Sequence, residues 1–137
     1  MAAGLFASGD GAKKVTPPLL TLDEYFADQA ESRRLFDALL GMINSIGQAE
    51  YKATKSQIAF SRKKQFAWVW IPGRYLRGKT PPLVLSLSFL ARDLSPRWKE
   101  IVEPAPGRFM HHLELFALSD IDEEVREWLR SAWVQAV

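Results

Sequence analysis

The chain has 137 residues, the length of one domain, with 47% hydrophobic and 25% charged residues. These are ordinary proportions for a globular protein able to bury one core. It contains no cysteine, which excludes a disulfide scaffold, a thiolate zinc site, an iron–sulfur cluster and a cysteine nucleophile; the net charge of +2 is too small to imply a nucleic-acid partner by itself.

Residues 1–18 read as a flexible N-terminal tail, small and Gly-rich, ending at Pro17-Pro18. Gly4, Gly9, Asp10 and Gly11 interrupt its apolar residues, so no secretory signal is expected. No stretch of about 18 apolar residues follows, so no membrane span is expected. The cytoplasm is the expected compartment. Residues 19–137 are read as a single domain.

Thr21 precedes Glu24 by three residues, the spacing of a capping box, and opens a short helix from Leu22 to about Ala30. Ser32 can cap a second helix, striped by Leu35, Phe36, Leu39, Leu40, Ile43 and Ile46. Gly47 is the expected stop, in the left-handed conformation. The period then changes to two. Tyr51 to Lys55 is a candidate first strand, and Ile58, Phe60 and Arg62 alternate after it. Lys63-Lys64 reads as a tight turn. Phe66, Trp68 and Trp70 alternate next, in a strand expected to be buried on both faces. Leu83, Leu85, Leu87 and Phe89 alternate with Val84, Ser86 and Ser88, and Phe109 to Phe116 form the last strand. Ser119 or Asp120 is expected to cap a final helix striped by Val125, Trp128, Leu129 and Ala132. The order predicts an α+β domain: two N-terminal helices, a four- or five-stranded, mainly antiparallel sheet, and a C-terminal helix packed on it.

Charge is uneven along this order. Residues 51–92 hold nine Lys/Arg and no Asp or Glu, whereas residues 21–50 hold two basic against six acidic. Lysines and arginines at strand ends deter edge pairing, and they also offer an anion-binding surface.

Four motifs bear on chemistry. Gly73 to Thr80 spells G-x-x-x-x-G-K-[ST], the phosphate-loop string, which requires a helix after it. Pro81-Pro82 and a strand follow instead, so a basic loop is expected, binding no nucleotide. His111-His112 are adjacent in a strand and point to opposite faces, one to the core and one to the surface. A metal or acid–base role would need carboxylates such as Glu114 or Asp93; no metal or cofactor is expected. Glu50-x-Lys52 echoes part of a nuclease triad, but the acidic candidate upstream, Asp37, lies within a helix. Trp68 and Trp70 among Lys/Arg have the composition of a base-stacking platform. Trp98 lies in the loop from Asp93 to Lys99.

From Leu19 to Trp133 the chain resembles a bacterial domain family of unknown function. The residues that carry the likeness are Leu22-Asp23-Glu24-Tyr25-Phe26, Lys55-Ser56-Gln57-Ile58-Ala59-Phe60, Phe66-Ala67-Trp68-Val69-Trp70, Gly107-Arg108-Phe109-Met110-His111-His112 and Leu129-Arg130-Ser131-Ala132-Trp133. The resemblance implies an α+β domain of roughly 110 residues. Some relatives look like C-terminal companions of nuclease or other enzymatic domains. The family supplies no catalytic residues to carry over.

These readings lead to three functional expectations. The first is a small non-catalytic module presenting a basic sheet surface to nucleic acid, another polyanion or a phosphorylated ligand. Its candidate contacts are Lys55, Arg62, Trp68, Arg92, Arg97, Trp98, Arg108, His111 and His112. The second is a small enzyme using Arg108, His111, His112 and Glu114. The third is a homodimer or larger homo-oligomer joined through the aromatic strand. Convergence of Lys55, Arg62, Arg92 and Arg108 on one face would favour the first.

Overall fold

A computed structural model of the chain describes residues 17–137. The expected tail falls outside the described residues except for Pro17 and Pro18. The capping box forms as read: Thr21 Oγ1 accepts from Glu24 N–H at 3.1 Å, and Glu24 Oε1 accepts from Thr21 N–H at 2.8 Å. It opens helix α1, Leu22–Tyr25. This helix is one turn long and does not reach Ala30. The chain turns through Asp28 at φ 60, a left-handed conformation that Asp adopts more readily than most residues.

Helix α2 spans Ala30–Ile46 and buries Leu35, Phe36, Leu39 and Ile43, the expected stripe. Ser32 does not cap it. Ser32 lies inside the first turn and donates its hydroxyl to the Pro82 carbonyl at 2.7 Å. Gly47 ends the helix with φ 177, extended and not left-handed.

Six strands follow: β1 Glu50–Ala53, β2 Ile58–Ser61, β3 Gln65–Trp70, β4 Leu83–Phe89, β5 Glu100–Ala105 and β6 Arg108–Leu115. They form one sheet in the order β1-β2-β3-β4-β6-β5. Every neighbouring pair is antiparallel. The sequence pattern gave five strands at most because β5 carries no apolar alternation. It is an edge strand, largely exposed, with Pro104 inside it. An edge position tolerates proline because one side of the strand makes no ladder.

Helix α3, Glu123–Gln135, buries Val125, Trp128, Leu129 and Ala132. Its cap is Asp122, whose carboxylate accepts from Val125 N–H at 3.1 Å. Asp120 instead accepts from the amides of Phe116 and Ala117 in the preceding turn. Helices α2 and α3 pack against β4, and α3 also against β3.

The pairing register sets the two faces of the sheet. Ile58, Val69 and Leu85 align across it, as do Phe60, Ala67, Leu87 and His111. These residues join the buried side chains of the helices, apart from His111, in one apolar core. The register shifts between Phe60 and Ser61, a β-bulge irregularity of the kind that breaks strand alternation, and Phe66 belongs to the core together with Ala67 and Val69. Trp68 and Val84 stand on the other face, outside that cluster. A single row crosses this second face: Lys52, Ala59, Trp68, Ser86, His112 and Glu100. Strand β3 has helices on one side only, yet it is buried on both faces, as expected, with Val69 and Trp68 both enclosed.

Candidate anion-binding end of the sheet

Each hairpin sends the chain to the opposite end of the sheet. Ser61 pairs with Gln65, Ala67 with Leu87, and Phe89 with Phe109. The β2–β3 turn, the end of β4 and the start of β6 therefore share one end. Ala53 pairs with Ile58, and Trp70 with Val84. The β1–β2 turn and the β3–β4 loop occupy the other end. A strand of β3's length separates the two by about 20 Å. The run of basic residues is thus divided. Arg62, Lys63, Lys64, Arg92 and Arg108 lie at the first end. Lys55, Arg74, Arg77 and Lys79 lie at the second. Of the four residues whose convergence was the criterion, Arg62, Arg92 and Arg108 share one end of the sheet, and Lys55 lies at the other.

The first end is tied to helix α3. Lys63 and Lys64 donate backbone N–H groups to the Ala136 carbonyl at 3.1 and 3.3 Å. The Arg62 guanidinium stacks 3.7 Å from the Trp133 ring centroid and donates to the Trp133 carbonyl at 3.2 Å. Cations here meet the negative end of the α3 dipole, which is one physical reason for the charge. Arg92 lies 5.0 Å from the Phe109 ring centroid. All five side chains are on exposed residues. Among the described residues, no carboxylate lies within 4.0 Å of any of their charged groups; the ion pairs belong to Arg33, Arg97 and Arg130.

Arg97, Trp98 and His111 have structural partners. Trp98 is 8% exposed and His111 is fully buried. Trp98 Nε1 donates to Asp93 Oδ2 at 2.8 Å, and its ring lies 4.1 Å from that of Trp128. His111 Nε2 accepts from Asp93 N–H at 2.9 Å, while Nδ1 donates to the Phe109 carbonyl at 3.1 Å. That pair of bonds defines a neutral imidazole. Burial pushes its pKa below the ordinary value, opposed by the bond to the Phe109 carbonyl. Arg97 bridges Asp122 and Glu124 at 3.1 and 2.8 Å and donates to the Asp120 carbonyl. Together these residues fasten the β4–β5 crossover to α3.

His112 and Trp68 stand on the face away from the helices. His112 Nδ1 lies 2.6 Å from Ser86 Oγ, and Trp70 Nε1 donates to the same oxygen at 3.2 Å. The serine hydroxyl satisfies both neighbours when it donates to a neutral His112. Burial lowers the His112 pKa, opposed by Glu100 across the strand pair. Ser86 is 1% exposed, so its hydroxyl has no route to a substrate. Trp68 is 7% exposed and offers little ring area.

Along β6, Arg108, His112 and Glu114 share one face, with Met110 between the first two. Same-face neighbours in a strand stand about 7 Å apart. They are therefore strung out along the strand and do not gather around one point. Asp37, the carboxylate weighed with Glu50 and Lys52, accepts from Arg33 on α2. Among the described residues, no group of three His, Cys, Asp or Glu is placed to hold a metal ion. The loop from Gly73 to Thr80 leads into β4, not into a helix. The shallow cleft beside it is lined by Asp28 and Glu31 at the start of α2, charges that repel a phosphate.

The structure defines a class: an α+β domain with helices on one face of an antiparallel sheet and five cations at one sheet end that make no ion pair among the described residues. The family model of a domain of unknown function, DUF5655, matches residues 22–136, and the chain belongs to that family. No curated protein and no solved structure is similar to it at a significant level. Among the described residues, no helix is long and apolar enough to cross a membrane.

In sequence, Lys63 and Lys64 read as a tight turn within the basic run of residues 51–92. The signal that places them at the same sheet end as Arg92 and Arg108 is the count of chain reversals, because two turns separated by two strands return to the same end.

Proposed function

We propose that the domain is a small binding module that presents the end of its sheet formed by Arg62, Lys63, Lys64, Arg92 and Arg108 to an anionic partner. The observation that carries this reading is the gathering of cations from three separate chain segments, none with a carboxylate within 4.0 Å among the described residues. Charges of one sign at one end of a sheet, with no carboxylate paired to them, raise the local potential and attract polyanions. The spread of Arg108, His112 and Glu114 along β6 gives less support to a small enzyme.

The test is a fluorescence-anisotropy titration of labelled heparin and of a labelled single-stranded oligonucleotide. Affinity should fall steeply between about 50 and 200 mM salt, as counterion release requires. Lys63→Gln, Lys64→Gln and Arg108→Gln together should flatten that slope. Arg97→Gln should leave it unchanged, because Arg97 is already paired. Failure of both polymers to bind at about 50 mM salt would rule the reading out.

A further inference from the structure

The segment that leaves β4 at the first end exposes two leucines. Leu90 is 68% exposed and Leu94 is 92% exposed, with the exposed Arg92 between them. The backbone that carries them is fastened. Leu90 N–H donates to Gln135 Oε1 at 2.9 Å, and Asp93 N–H donates to Nε2 of the buried His111 at 2.9 Å. Four residues of chain keep Leu90 and Leu94 within about 14 Å of each other. Gln135 precedes Ala136, whose carbonyl accepts from the Lys63 and Lys64 amides. Leu90 and the lysine turn are thus joined through two consecutive residues at the end of α3, on the helix side of the sheet. Asp93 is the acid of the segment, and its carboxylate is turned inward. Its Oδ2 accepts from Ser95 N–H at 3.1 Å and from Trp98 Nε1–H at 2.8 Å. Glu50 and Glu103 stand on the two edge strands, and neither lies within 4.0 Å of a cation among the described residues.

Resting on the anionic-partner reading above, we propose that the partner is the surface of an anionic lipid bilayer, with Leu90 and Leu94 inserted at headgroup level and Lys63, Lys64 and Arg92 against the lipid charges. A single exposed leucine is ordinary. Two on one fastened segment, beside cations that no acid neutralises, make an amphipathic projection. Apolar side chains that project gain only from a medium that takes them out of water, and a phosphate or sulfate polymer offers none. A lipid interface receives both parts at once: its acyl boundary takes the leucines and its anionic headgroups take the cations. A second copy docked through the same patch would set its cations against those of the first. Seating on the interface needs no membrane-crossing helix, and none occurs among the described residues.

The test is flotation of the full chain with vesicles of phosphatidylcholine alone and of phosphatidylcholine mixed with phosphatidylserine, beside titration of labelled heparin. The chain should float with the mixed vesicles and not with the neutral ones. Leu90→Ser with Leu94→Ser should weaken vesicle binding about tenfold, the effect of leaving part of two leucine side chains in water. Heparin affinity and its salt slope should stay unchanged in that variant, which also reports that it folds. Leu90→Met with Leu94→Met keeps the apolar area and should retain vesicle affinity. Lys63→Gln with Lys64→Gln should weaken binding to vesicles and heparin alike. Heparin binding without vesicle binding would overturn this inference alone. So would equal binding to neutral and anionic vesicles, or a double serine variant that binds vesicles as wild type does. Self-association that the double serine variant loses would replace the bilayer by a second copy. Failure of heparin and oligonucleotide alike to bind at low salt would remove the reading beneath it.

Discussion

The backbone of Gly47 lies directly against the indole of Trp133. A Cβ at position 47 would fall 2.6 Å from Cε2 and 2.9 Å from Cη2 of that ring, with Cζ2 closer still. The same indole donates Nε1–H to the Gln48 carbonyl at 2.9 Å and carries Arg62 on its face. One contact therefore joins the end of α2, the end of α3 and the β2–β3 turn. The glycine is required by space and not by backbone conformation.

Gly47→Ala should accordingly destabilise the domain, by about 1–3 kcal/mol, the usual cost of forcing extra volume into a packed site. Urea unfolding would show it as a lower midpoint with an unchanged slope. Trp133→Leu in the same background should recover part of the loss. Additive effects of the two substitutions would mean that the ring does not set the requirement.

Leu85 and Ser86 are adjacent on β4 and face opposite ways, yet both should prove costly to truncate. Leu85 is fully buried in the core, and Leu85→Ala should cost about 2–5 kcal/mol. Ser86→Ala removes the partner of Trp70 Nε1 and His112 Nδ1 on the other face. It should cost about 1–3 kcal/mol, the penalty for leaving polar groups unsatisfied where water cannot reach them. A Ser86→Ala melt indistinguishable from wild type would show that water or another group replaces the hydroxyl.

Stability should fall as the solution is acidified below the ordinary histidine value. Burial holds the folded pKa of His111 below 6.5, the value it regains on unfolding. The unfolded chain then binds more protons in that range, and the native state loses stability as pH drops through it. Above about pH 6.5 the contribution is complete. His112 is lowered for the same reason and adds in the same direction. Comparing urea midpoints at about pH 7.5 and pH 5.5, His111→Phe should show a smaller loss than wild type, whatever its absolute stability. Equal losses would mean that the buried imidazole accepts a proton without penalty.

The apolar periods of α2 and α3 were legible from the residues, because each helix buries one face against a single core; β4 alternates as well, yet its second face is also buried, with Val84 and Ser86 enclosed. Thr21 and Glu24 declared α1 by local bonding alone. The Lys63-Lys64 turn and the one-in, one-out placement of His111 and His112 followed from the two-residue period of strands. The chain's membership in its family rests on the family-model match over residues 22–136. Four features lay beyond this local reading. Strand β5 is an edge, so it has neither a buried face nor an apolar pattern to announce it. Gly47 answers to an indole 86 residues away. Trp98 and Arg97, basic and aromatic in a loop, are absorbed by Asp93, Asp122 and Trp128. The run of positive charge from Lys55 to Arg92 is one block in sequence but is divided between the two ends of the sheet. Sequence determines which residues are charged and which alternate, because those are properties of neighbours along the chain. Only the pairing of antiparallel strands decides which turns share an end, because each reversal carries charge across the sheet.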